Sequence, residues 1–145
     1  MTNRTTGTTG NNPLANSNEQ ASKDLCEIEK KHNEIMGMID HLIISLRNDK
    51  IEKSMDKHIR ELGGKVIDCF DKEEKCMMKS NYSEYDSHKG EHMKFLKNFA
   101  MLKRLFEGEG SLDQLSIAIR NQVVEWLTNH ITDIDRNMIK YLKSR

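Results

Sequence analysis

Residues 85–106 read YDSHKGEHMKFLKNFAMLKRLF and set Tyr85, His88, His92, Phe95, Phe99, Leu102 and Phe106 at alternating steps of three and four. That spacing keeps returning to one side of an α-helix, so the seven side chains form a single stripe suited to burial. Five of them are apolar or aromatic. His88 and His92 are not, yet they stand one turn apart where an apolar residue belongs. A helix with this stripe has to pack against partners that can satisfy two inward imidazoles.

Three further stretches carry the same period. The first aligns Leu25, Ile28, His32, Ile35, Ile39, Leu42 and Leu46; the second aligns Met55, Ile59, Leu62, Val66, Cys69, Glu73 and Met77. The fourth aligns Leu112, Leu115, Ile119, Val123, Trp126 and His130, and continues less regularly to Met138 and Tyr141. Asn48-Asp49, Ser80-Asn81 and Gly108-Glu109-Gly110 supply the breaks. Connections this short make neighbouring helices antiparallel, which predicts an all-α, up-down-up-down four-helix bundle. Gly63-Gly64 inside the second stretch costs about 1 kcal/mol per glycine against alanine. The pair either bends that helix or admits a close neighbour.

Composition agrees with a single helical domain. The 145 residues include one proline, eight glycines, 32% charged and only 6% aromatic side chains. Lys plus Arg and Asp plus Glu balance at 23 each, so no net field draws nucleic acid or a membrane surface. No apolar run approaches the roughly 18 residues that span a bilayer. Arg4 is followed by no apolar stretch, so no secretory signal is expected. Three cysteines without a CxxC motif fit a reducing cytoplasm better than a disulfide framework. Residues 1–20, rich in Thr, Asn, Gly and Ser, read as a disordered tail; residues 21–145 read as the bundle.

The chemistry lies in the residues that break the stripes. His32, Glu73, His88, His92 and His130 all take inward positions, one or two per helix. Burying a carboxylate or an imidazole without a partner costs several kcal/mol. Their heights agree as well. Counted from Asn48, His32 lies 16 residues back, and Cys69 and Glu73 lie 21 and 25 forward; counted from Glu109, His92 and His88 lie 17 and 21 back and His130 lies 21 forward. At about 1.5 Å per residue these positions fall within two to three turns of one level. His88 and His92, at i and i+4, suit two ligands of one metal. Asp135 lies five residues beyond His130, about 140° around an ideal helix, and joins only if the helix is distorted. Imidazole and carboxylate donors together point to iron, with zinc and manganese compatible by ligand type.

With these residues in order, the chain resembles the hemerythrin family, in particular its single-domain bacterial members. The resemblance spans about Ile28 to Tyr141. It rests on His32 in Ile28-Glu29-Lys30-Lys31-His32, Phe70-x-x-Glu73-Glu74-x-x-Met77, Tyr82 followed by His88-x-x-x-His92, and Trp126-Leu127-x-x-His130-Ile131-x-x-x-Asp135. It implies a two-iron centre that binds dioxygen for transport, storage, delivery or sensing, without enzymatic turnover. His88, His92 and His130 are then implied on one iron, His32 on the other, with Glu73 and Asp135 bridging. Leu127 is implied to line the small apolar pocket for dioxygen.

Two departures stand out. The family's histidine just before the phenylalanine is Cys69 here, and the usual tryptophan upstream of the first ligand is missing, which leaves the arm before Asp24 unassigned. His58 lies about 16 Å up the helix from Cys69 and cannot replace it, and His41 is expected on the surface. Three roles stay open to Cys69: a thiolate ligand that shifts the redox potential, a neutral buried thiol that leaves its iron short of a ligand or absent (one iron instead of two), or an oxidisable sensor. Two other functions are compatible with a bundle of this kind. A ferritin-like oxidase needs two Glu-x-x-His units, and only Glu29 to His32 has that form. An interaction module that has lost its metal would leave six ligand-type residues buried without purpose.

Overall fold

The computed structural model describes residues 13–47, 53–109 and 111–145 and is helical almost throughout. Helix α1 spans Pro13–Arg47, α2 spans Lys53–Lys79 and α3 spans Tyr85–Arg104. The fourth helix, α4, covers 112–143 and alternates ordinary and wide turns. Its α-helical pieces are Leu112–Ala118, Trp126–Asn129 and Arg136–Lys143, and its π-helical pieces are Ile119–Glu125 and His130–Asp135. Each helix packs against the next, and α4 closes the ring against α1. Pairs such as Glu34–Lys65 between α1 and α2, and Leu46–Arg120 with His32–Asp135 between α1 and α4, run in opposite chain directions. The architecture is therefore the antiparallel four-helix bundle that the periodicity predicts. Among the described residues no helix is long and apolar enough to cross a membrane.

The connections follow from local chemistry. At the end of α2, Asn81 adopts φ 52°, Tyr82 N–H donates to Met77 O (3.0 Å) and Asn81 N–H donates to Met78 O (3.2 Å). This is a Schellman stop with asparagine in the left-handed position. After α3 the π-turn Leu105–Glu109 ends at Gly108, whose φ of 94° suits glycine. Ser111 caps α4 through a reciprocal pair with Gln114. The Asn48-Asp49 break lies outside the described residues.

The described part of α1 starts at Pro13, so residues 13–20, read from the sequence as part of the tail, are helical here. Propagation from the packed part of α1 explains the extra turns, because extending a helix costs little once it is nucleated. Residues 1–12 lie outside the described residues. The stripes also shift at their ends. Leu112 is 68% exposed, and Asp24 rather than Leu25 turns inward, held by Lys72 (2.9 Å) and Gln20 (3.0 Å). The glycine pair is settled in favour of close approach. A Cβ on Gly63 would meet the Phe99 ring at 2.7 Å, whereas Gly64 faces open space.

Among the described residues, the buried apolar side chains fall into two clusters. The large one fills the bundle from Leu46 and Met55 to Ile35, Phe70, Phe95 and Leu127. The small one holds Ile28, Cys76, Met77 and Met138. The polar layer of histidines and carboxylates belongs to neither.

Candidate metal centre

All four helices contribute to this layer: His32 from α1, Cys69 and Glu73 from α2, His88 and His92 from α3, and His130 and Asp135 from α4. Every one is buried, and Glu73 is 0% exposed. The ligand atoms of Glu73, His88, His92, His130 and Asp135 all lie within 4.8 Å of one another, as do those of His32, Cys69 and Glu73. The ligand residues expected from the sequence thus fall into these two groups, which share Glu73. His58 and His41 are exposed elsewhere, with their rings against each other.

Asp135 reaches the layer because of the wide turn His130–Asp135. Hydrogen bonding from i to i+5 sets residues five apart one above the other, which an ideal α-helix does not. Asp135 Oδ1 consequently lies 3.1 Å from His130 Nε2.

The two carboxylates are two-sided. Glu73 Oε1 faces His92 Nε2 (3.0 Å) and His88 Nε2 (3.3 Å), while its Oε2 accepts from His32 Nε2 (2.7 Å). Asp135 Oδ1 faces His88 Nε2 (3.0 Å) and His130 Nε2, while its Oδ2 lies 3.1 Å from His32 Nε2. Cys69 donates its S–H to Glu73 Oε2 at 3.3 Å, on the His32 side. One carboxylate oxygen of each residue therefore turns to a three-imidazole group and the other to a group of one imidazole and one thiol.

Several of these atoms lack a proper partner. Glu73 Oε1, Asp135 Oδ1 and His88 Nε2 are buried and make no hydrogen bond, although they lie 3.0–3.3 Å from facing atoms. The nitrogens and oxygens of each group crowd around common points, within 4.8 Å of one another. Buried polar atoms left this way cost free energy, and a cation at those points would satisfy them together. The donor set therefore fits a metal.

Neighbouring side chains fix the rings. His92 donates Nδ1–H to Glu74 Oε2 (2.8 Å), which leaves Nε2 with its lone pair toward the centre. Phe70 stacks on His92 with centroids 3.7 Å apart and planes 8° apart; Trp126 stacks on His130 at 4.6 Å and 11°. Glu74 escaped the reading of inward stripes because it sits beside the stripe and reaches in from its edge, 23% exposed.

In the metal-free protein the layer shares protons. Burial alone pulls the His32 and His88 pKa values down, but Asp135 and Glu73 outweigh it and raise both from 6.5 to about 9. Burial and the Asp135 charge push Glu73 up, yet the facing imidazoles of His32, His88 and His92 bring it down to about 2. Asp135 is held low by His130, His32 and His88 against its burial. Burial, with the charges of Glu73 and Asp135, pushes the Cys69 thiol far up, so its proton stays on sulfur in the metal-free protein.

Comparison with known proteins agrees with this geometry. Residues 24–142 match the family described as the hemerythrin HHE cation binding domain. The chain is similar to a bacteriohemerythrin of Methylococcus capsulatus (strain ATCC 33009 / NCIMB 11132 / Bath), 28% identical over 109 residues, covering 74% of this chain and 80% of that protein. It is similar also to a bacteriohemerythrin of Aquifex aeolicus (strain VF5), 25% identical over 111 residues, covering 77% and 84%. No solved structure matches. Since the family match takes in all four helices and every residue of the polar layer, the chain belongs to the hemerythrin family.

Proposed function

We propose that the protein holds two non-haem irons in the polar layer and binds dioxygen, or another small diatomic molecule, there as a carrier, store or sensor. The observation that carries this reading is the two-sidedness of Glu73 and Asp135, each facing the three-imidazole group with one oxygen and His32 with the other. Bridging carboxylates between two cations have that geometry. His88, His92 and His130 are assigned to one iron, and His32 with Cys69 to the other. Imidazole and carboxylate donors suit iron, and the similar proteins are named bacteriohemerythrins.

Bound iron supplies the redox chemistry that lets a diatomic ligand attach. The chain's residues do the rest. Glu74, Phe70 and Trp126 hold two imidazoles in the right plane and tautomer. Leu127, buried three residues before His130, keeps water from the assigned ligand pocket. The role proposed for the layer is binding rather than turnover. The cytoplasm is the proposed setting, where the free thiols Cys26, Cys69 and Cys76 stay reduced.

Cys69 favours a second reading, an iron–thiolate protein that responds to redox state, peroxide or nitric oxide. Its sulfur touches the same Glu73 oxygen as His32. A thiolate there would donate more strongly than imidazole and lower the potential of that iron.

The deciding measurement is iron per chain on protein purified without oxygen, with the optical spectrum followed as air is admitted and removed. Two irons and a spectrum that changes and returns support dioxygen binding. Two irons that oxidise irreversibly, with reversibility recovered in Cys69→His, favour the thiolate reading. A chain that retains no iron in either protein overturns both.

A further inference from the structure

The exposed flank between α1 and α2 carries a regular series of cross-helix pairs. Glu27 lies 3.1 Å from Lys72, Glu34 lies 2.8 Å from Lys65, and the His41 and His58 rings have centroids 4.9 Å apart. Positions 27, 34 and 41 are seven apart on α1, and positions 72, 65 and 58 are seven apart on α2. Seven residues return to within about 20° of the same direction, so the three pairs are rungs of one antiparallel ladder. Two rungs join opposite charges. The third sets two imidazoles edge to face at 64°, both exposed, with no charge complementarity between them.

The separation of these rings matches that of the buried histidines. His88, His92 and His130 have centroids 4.6, 5.0 and 5.0 Å apart, and one nitrogen of each lies within 4.8 Å of the others. The helices beneath His41 and His58 are held by buried Ile39, Leu42, Met55 and Ile59 and by the two ion-pair rungs. Two imidazoles are thereby set, ring to ring, at the centroid spacing of the buried histidines, on helices packed against each other.

We propose that His41 and His58 form a second, surface metal site for a divalent ion of the zinc and copper class, which clips α1 to α2. Imidazole selects such ions over magnesium and calcium, which want oxygen donors. Among the described residues no third side-chain ligand joins the pair, so solvent completes the coordination and the ion exchanges readily. His41 lies nine residues from His32 and His58 lies fifteen from Glu73, about 13 and 22 Å along their helices. The two sites share no ligand.

The test uses the iron-loaded full chain titrated with copper(II), followed by electron paramagnetic resonance and by metal content. The expected result is one copper per chain beyond the iron, nitrogen couplings from two imidazoles, and iron content unchanged. His41→Ala and His58→Ala should each weaken binding about tenfold or more, because losing either ring ends the chelate. The double variant should fall no lower than about the same level. Both positions are exposed, and unchanged melting without added copper confirms folding. Zinc should raise the melting temperature of the unaltered chain and not of the variants. Binding equal in all proteins, binding lost in only one single variant, or copper that displaces iron would each overturn the proposal.

Discussion

Raising the pH of the metal-free protein from 6 to 9 should destabilise it, and the polar layer sets the size of the effect. His32 and His88 both titrate at about 9 in the folded chain against an ordinary 6.5. A pKa raised by folding contributes stability that is full below 6.5 and is lost as pH rises through about 9. Each shift corresponds to about 3 kcal/mol. Both imidazoles draw on the same two carboxylates, so the joint loss is on the order of 3 kcal/mol rather than twice that. Glu73 and Asp135 act with the opposite sign. Their lowered values contribute stability that is present above their unfolded pKa values, 4.5 for Glu73 and 3.8 for Asp135, and is lost as pH falls below them. Metal-free protein should therefore be most stable between about pH 4.5 and 6.5. Urea denaturation followed by circular dichroism reads this directly. With a slope of roughly 1–3 kcal/mol per molar, the midpoint should fall by roughly 1–3 M from pH 6 to pH 9. The iron-loaded chain should show no such fall, because ligation already requires neutral imidazoles. A metal-free midpoint that is flat or rising over this range would refute the proton-sharing account of the layer.

Other expectations follow from single contacts. His88→Ala and His130→Ala should each abolish iron retention; full iron content in either would remove that residue from the proposed ligands. Glu74→Gln weakens the hold on His92 Nδ1 and should reduce metal affinity about 10- to 100-fold without changing stoichiometry, as read by competition with a chelator. Gly64→Ala, in open space, should stabilise the chain by up to about 1 kcal/mol. Gly63→Ala forces the Phe99 ring aside and should cost about 1–3 kcal/mol; equal melting temperatures for the two variants would contradict the close packing seen there.

Most of the bundle could be read from the spacing of apolar residues, because one buried stripe per helix has a fixed period. The same period exposed His32, Glu73, His88, His92 and His130 as polar residues in inward positions. Asp135 was beyond its reach. A wide turn adds one residue locally and leaves no mark in the pattern, so only the family resemblance placed that carboxylate in the layer. Glu74 was hidden for another reason, since a side chain at the edge of a stripe has the spacing of a surface residue. Leu112 misled because an apolar residue in a first helical turn keeps the period while lying beyond the end of the core. The contact between Gly63 and Phe99 needed two helices in register, which one stretch of sequence does not contain.

The unequal clusters on either side of the polar layer determine how the molecule opens. One end is held by four buried residues, Ile28, Cys76, Met77 and Met138, and the other by the much larger cluster. Partial unfolding should begin at the lighter end, and amide hydrogens there should exchange with solvent sooner than those around Leu62 or Ile119. The layer lies at the border of that end, with Glu73 one turn from Met77 and Asp135 three residues from Met138. Breathing of the lighter end should therefore set how fast an ion reaches or leaves the layer. Trimming Met77 or Met138 should quicken metal exchange, while equal trimming at Leu62 should lower global stability instead.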